Sequence, residues 1–145
     1  MALAFAEAEA AGARGEVPVG AVVVEAGTGR VLAAAGNRTE ADNDPTAHAE
    51  VLAIRAAAQA KGAPRLPDCD LYVTLEPCAL CAAAIGFARI RRVYFGAYDP
   101  KGGAVEHGSR WFEQPTCHHH PDIYGGIDEG RAADLLRGFF AERRE

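Results

Sequence analysis

The sequence predicts an α/β domain in which helices layer against a sheet that has a parallel portion. Three observations carry this: apolar runs of strand length, two proline-opened helices alternating with those runs, and one further helix towards each end of the chain. Residues 3–14 form a short amphipathic helix, stopped by Gly15. The apolar runs 19–24 and 31–35 flank Glu25-Ala26-Gly27-Thr28-Gly29-Arg30 and predict a β-hairpin. Residues 37–43 are polar and loop-like. Asp44 followed by Pro45 predicts an N-cap with proline at the first helical position, and that helix runs to Lys61, where Gly62-Ala63-Pro64 stops it. Residues 70–74 form a short strand, residues 77–88 a second proline-opened helix, and residues 92–97 another strand. Residues 98–121 are too rich in Gly, Pro and His to be regular throughout. Residues 122–124 add a short strand, and residues 128–144 a final helix with an arginine-rich end. No internal repeat or linker divides the chain, so residues 1–145 are expected to form one domain.

Nearly half of the residues (49%) are apolar, which excludes a disordered chain and provides for a core without disulfide staples. No apolar run approaches the ~20 residues of a membrane helix. The alanine-rich start carries Glu7 and Glu9 and no leading basic cluster, so it does not read as a secretory signal, and a cytoplasmic protein is expected. A formal net charge of −5 argues against diffuse binding to nucleic acid, although it leaves room for a local basic patch. Of the four cysteines, Cys78 and Cys81 are close enough to share a metal or redox site, whereas Cys69 and Cys117 read as small buried thiols.

Two short motifs bear the chemistry: His48-Ala49-Glu50 and Pro77-Cys78-Ala79-Leu80-Cys81. Residues three apart share a helix face, so Cys78 and Cys81 can hold one ion, and a helix N-terminus favours their thiolate form. His48 supplies a third ligand. Three protein ligands leave zinc a position for water, which is the catalytic pattern rather than the structural one. Two thiolates offset the charge of the ion and acidify that water less, so a nearby base is needed, and Glu50 is the candidate. On an ideal helix Glu50 lies about 200° round from His48. The pair therefore works only if the ion sits by the helix end. The combination H-x-E with P-C-x-x-C is the signature of zinc nucleobase deaminases, so the mechanism is matched to a known pattern rather than discovered.

Beyond that signature the chain resembles the bacterial tRNA-specific adenosine deaminases, which convert the wobble adenosine of an anticodon to inosine. The resemblance runs from near Met1 to Arg144, through Glu16-Val17-Pro18-Val19-Gly20-Ala21-Val22, Asp44-Pro45-Thr46-Ala47-His48-Ala49-Glu50 and Leu71-Tyr72-Val73-Thr74-Leu75-Glu76-Pro77-Cys78. It continues through Ala88-Arg89-Ile90, Val93-Tyr94-Phe95-Gly96-Ala97 with Asp99, and Phe139-Phe140 before Arg143-Arg144. It implies a three-layer α-β-α, cytidine-deaminase-like fold with a five-stranded mixed sheet, one zinc ion per subunit, and a homodimer with the active site near its interface. It also implies that Asn37 hydrogen-bonds the purine with help from the Ala49 backbone, that Pro18 and Val19 line the base pocket, and that Asp99 holds the flipped-out nucleotide. Phe139, Phe140, Arg143 and Arg144 would meet the anticodon stem-loop, through stacking and phosphate pairing. Two departures stand out: Lys101-Gly102-Gly103-Ala104, where the family often has Thr or Ser at the second position, and a divergent stretch over residues 105–121.

Blander readings compete at several positions. Asn37 could brace a loop, although its place relative to the motif favours substrate contact. Glu76 reads as structural, a carboxylate at a helix N-terminus. Of the adjacent Phe139 and Phe140, one is expected in the core and the other outside. Arg89, Arg91 and Arg92 are either phosphate contacts or a solvated turn. His118, His119 and His120 read as loop rather than as a second metal site, since three adjacent side chains rarely converge on one ion. Two rival functions are a deaminase of a free base such as guanine and a non-enzymatic zinc-stabilised module. The second leaves Glu50 without a task.

Overall fold

The structure, a computed structural model, describes residues 1–143. Its elements are α1 (Ala2–Ala13), β1 (Gly20–Glu25), β2 (Arg30–Gly36), α2 (Ala49–Lys61), β3 (Cys69–Leu75), α3 (Ala79–Ala88), β4 (Arg92–Ala97), β5 (Asp122–Tyr124) and α4 (Glu129–Arg143). The five strands form one sheet in the order β2-β1-β3-β4-β5. The expected hairpin of β1 and β2 is antiparallel, as is β1 against β3, while β3, β4 and β5 run parallel. The sheet is thus mixed, as the resemblance implied.

Helices cover both faces, giving three layers. α2 and α3 pack on one side, and α1 and α4 on the other. Between the sheet and the α2–α3 layer lies the main core, where Val23, Leu71, Val73, Val93 and Phe95 are fully buried against Ala53, Ala57, Ala82 and Ile85. Each large apolar side chain enclosed there contributes roughly 1.5–3 kcal/mol. On the other face α1 and α4 come unusually close to the strands, because two strand positions carry no side chain. A Cβ at Gly20 would lie 2.6 Å from the Ala8 nitrogen, and one at Gly96 would lie 2.9 Å from the Ala132 Cβ.

Both central helices start later than their prolines predict. α2 opens at Ala49, with His48 as its N-cap, rather than at Pro45. Asp44 instead closes a local turn: its Oδ1 accepts from the Thr46 N–H at 2.8 Å and from the Thr46 hydroxyl at 2.7 Å. An Asx turn and an N-cap use the same side-chain-to-backbone bond, which is why the sequence does not separate them. α3 likewise begins at Ala79, with Cys78 as its N-cap.

Residues 98–121 are irregular, as expected, apart from a single 3₁₀ turn at Trp111–Glu113. The histidine run is held as loop, with a short hydrogen bond between His119 Nε2 and the Ile90 carbonyl. Cys69 and Cys117 are buried free thiols.

Candidate active site and metal centre

His48 and Cys78 face each other from the starts of α2 and α3, each with extended backbone just ahead of its helix. The position of His48 outside the helix removes the angular difficulty: it need not share a helical face with Glu50, which lies in the first turn. His48 Nδ1 stands 3.5 Å from the Sγ of Cys78 and 3.5 Å from the Sγ of Cys81. Tetrahedral zinc, with bonds of about 2.0–2.1 Å to nitrogen and about 2.3 Å to sulfur, places those ligand atoms about 3.5 Å apart. The separations match those that a tetrahedral zinc ion would require, and among the described residues this is the group of His, Cys and acidic side chains spaced to hold a metal ion.

The thiols behave as a pair. A hydrogen bond from the Cys81 thiol, outweighing burial, draws Cys78 down to about 5, helped by the Cys81 backbone N–H and by His48. Cys81 is pushed up by the same contact, by burial and by the nearby Glu50 carboxylate. A divalent cation held by these side chains would bind both sulfurs as thiolates and release their protons. Glu50 is 4% exposed, and burial followed by the neighbouring Cys78 charge raises its carboxyl to about 7.

These groups open into a cavity of about 280 Å³, whose walls include Val17, Val19, Asn37, Leu75, Asp99 and Gly102. A second hollow of about 590 Å³ adjoins it, sharing Val17, Leu75, Asp99 and Gly102 and adding Tyr98, Lys101, Leu136 and Phe140. Val19 and Asp99 thus line the cavity beside the metal-spaced group. Pro18 does not. The Val19 N–H bonds the Val17 carbonyl at 2.8 Å, a tight turn centred on Pro18, so Val17 and Val19 line the cavity while Pro18 lines a groove between α1 and α4.

Asn37 lies at the cavity but is occupied as a brace: its Oδ1 accepts from the Ala49 N–H at 2.8 Å, and its Nδ2 donates to the Val17 carbonyl at 3.1 Å. Asp99 Oδ1 accepts from the N–H groups of Lys101 and Gly102. Neither phenylalanine of α4 enters the core, contrary to expectation. Phe139 is half-buried beneath the Arg143 guanidinium, 3.8 Å from its ring centre, and Phe140 is 44% exposed. Arg144 lies outside the described residues.

Residues 1–97 match the family described as the cytidine and deoxycytidylate deaminase zinc-binding region. A tRNA-specific adenosine deaminase of Agrobacterium fabrum is 62% identical over 144 residues, covering 99% of this chain and 93% of that protein. This chain belongs to the tRNA-specific adenosine deaminase family. Among solved structures, one from a study of A-to-I editing by tRNA:A34 deaminases superposes with a TM-score of 0.91 at 62% identity, covering 94% of this chain and 97% of the other. A guanine deaminase from Nitrosomonas europaea gives a TM-score of 0.83 over 97% of this chain and 82% of its own, but at 24% identity it shares the fold alone.

In this deaminase two further buried carboxylates support the cavity: Glu16, to which the sequence assigns no role, and Glu76, which it reads as structural. Glu16, 1% exposed, accepts from the Thr39 hydroxyl and from the N–H groups of Glu40 and Ala41, fixing the loop that carries Asn37 and Thr39. Glu76 is structural, as expected, but not as a helix-end charge: it accepts from Asp99, Val105, Glu106 and His107 in the opposite loop. The available signal was an acidic residue beside each apolar motif segment, at Glu16-Val17-Pro18-Val19 and Leu75-Glu76-Pro77.

Proposed function

We infer that this deaminase removes the amine from the wobble adenosine of a tRNA anticodon by hydrolysis, leaving inosine and ammonia. The observation that carries the reading is a His48–Cys78–Cys81 donor set beside a buried Glu50 on one cavity, in a chain 62% identical to a tRNA-specific adenosine deaminase. Zinc, when bound by those three side chains, supplies a Lewis acid that makes water nucleophilic near neutral pH. Glu50, with its carboxyl near 7, is suited to both halves of the proton traffic. It takes a proton from the attacking water, passes it to the purine ring nitrogen, and delivers a proton to the departing amine. Asn37 and the Ala49 N–H exchange their mutual bond for the purine edge, with Val19 and Asp99 closing the pocket. Phe139, Phe140, Arg143 and Arg144 meet the anticodon loop, where aromatic faces stack on splayed bases and guanidinium groups pair with phosphate.

The protein acts as one deaminase domain and as a homodimer. What supports the dimer is the outer face of α3, where Leu80 is 40% and Phe87 77% exposed, next to the metal ligands. The cytoplasm is the proposed compartment, supported by four unpaired cysteines; no helix among the described residues is long and apolar enough to cross a membrane. The deciding experiment presents zinc-loaded protein with an anticodon stem-loop bearing adenosine at the wobble position, beside free guanine, adenine, adenosine and cytidine. Inosine in the stem-loop with the free compounds untouched is expected. Ammonia from a free base alone would overturn the tRNA reading and leave the zinc chemistry standing.

A further inference from the structure

We propose that Glu76 is a positioning residue for substrate binding, shaping the cavity wall through backbone hydrogen bonds rather than acting on the metal site two residues away. Its side chain is 0% exposed although the residue borders the inner cavity, so the carboxylate acts on substrate through the groups it holds. Its Oε1 accepts from the Asp99 N–H at 3.0 Å and the His107 Nδ1–H at 2.8 Å. Its Oε2 accepts from the N–H groups of Val105 at 3.1 Å, Glu106 at 2.9 Å and His107 at 3.2 Å. Both ends of the loop over residues 99–107 are thus gathered on one carboxylate. Between those ends lie Gly102, which with Asp99 walls the inner cavity, and Lys101, which lines the outer hollow. The His107 ring then meets Tyr98 edge-on, with centroids 6.2 Å apart, which carries the anchoring out to the aromatic rim.

Gly103 gives independent support. A Cβ there would lie 2.5 Å from the Asp99 carbonyl oxygen, from the Glu76 Cδ and from its Oε2, so the Asp99 backbone and the carboxylate together occupy the space that any other residue would need. Gly102 is less constrained, its nearest neighbour being an Asp99 carboxylate oxygen at 3.0 Å.

A carboxylate is the group this cluster requires, because all five contacts, made by four residues, come from donors and it alone offers two acceptor oxygens. In Glu76→Gln one oxygen becomes an NH₂, and either amide orientation leaves two or three N–H groups facing another donor. Glu76→Asp keeps the charge but falls short by one methylene, and should recover part of the loss.

The test uses the zinc-loaded full chain and the variants Glu76→Gln, Glu76→Asp and Gly103→Ala, and it rests on the stem-loop reading for its substrate. Zinc per chain should be unchanged in all three. KM for the stem-loop should rise about tenfold in Glu76→Gln and Gly103→Ala while kcat changes less than about threefold, the pattern of lost binding rather than lost chemistry. Amide exchange at Asp99, Val105, Glu106 and His107 should quicken in the same two variants. Zinc loss in step with activity, a fall in kcat at constant KM, or unchanged exchange would each overturn the proposal. If the parent protein does not turn over the stem-loop, the substrate reading fails, and the exchange measurement still decides for or against Glu76.

Discussion

The starts of α2 and α3 and the far end of α4 are built on opposite principles. α2 buries six of its residues and α3 five, whereas the fifteen residues of α4 bury Ala132 alone. The first two helices hold their functional groups from behind, with Glu50 and Cys81 enclosed. α4 is attached chiefly through its first half, where Ala132 meets Phe5 and Ala97, and Arg131 stacks over Phe5 at 4.2 Å while pairing with Glu9. Its last turns leave Phe140 and Arg143 exposed. Proton transfer demands fixed distances, so its groups sit where packing over-determines them. A single strand of nucleic acid can be met by a shallow surface, since stacking and charge pairing tolerate adjustment.

The sharpest break in that contrast should come at Glu50. Glu50→Gln is expected to lower turnover by about 10²–10⁴-fold, because a carboxamide cannot carry the proton. Metal analysis should find zinc retained; its loss would make Glu50 a ligand. At the outer face of α3, Phe87→Glu should weaken the proposed dimer by at least about a hundredfold, as burying a charge at an apolar contact requires. Sedimentation velocity reads this directly, and an unaltered mass would place the interface elsewhere.

On α4, Phe140→Ala with Arg143→Ala should raise KM for the stem-loop about tenfold and lower the slope of log affinity against log salt by about one. Stability should stay within about 0.5 kcal/mol, since these side chains pack little. A comparable loss of stability would make the helix end structural.

The smallest effect on turnover is expected at Glu16. Burial on its own would raise that carboxyl, but the Ala41 and Glu40 N–H groups and the Thr39 hydroxyl outweigh it and hold it below its ordinary 4.5. The resulting stabilisation is present above that value and is lost as pH falls through the lower folded value. Glu16→Gln should therefore cost about 1–3 kcal/mol at neutral pH. The gap to the parent should narrow in urea titrations below about pH 4; a gap constant with pH would mean that the loop is not held by the charge.

The same contrast explains what could be read without coordinates. Strands β4 and β5 fall on the expected residues, because apolar runs bounded by turn residues report burial directly. The three metal-spaced side chains also converge as their motifs implied. Helix starts were less legible, since Asp44 makes a capping bond that no helix follows. Pro18 was misplaced because a motif gives adjacency but not the face each residue takes. Glu76 was recognised as structural, yet its role depends on donors as many as 31 positions away, a pairing that no local pattern encodes. Phe139 and Phe140 show the limit on α4: two adjacent aromatics say nothing of how little covers the helix beneath them.

His48 and Cys78 are thirty positions apart, and nothing covalent joins them. Zinc held by both closes that length of chain into a ring, as a disulfide would. A disulfide spanning a loop of that length removes chain entropy from the unfolded state worth about 3–4 kcal/mol. A chelator would therefore loosen the packing of α2 against α3 as well as stop catalysis, and zinc supply in the cell would set how much of the protein persists folded.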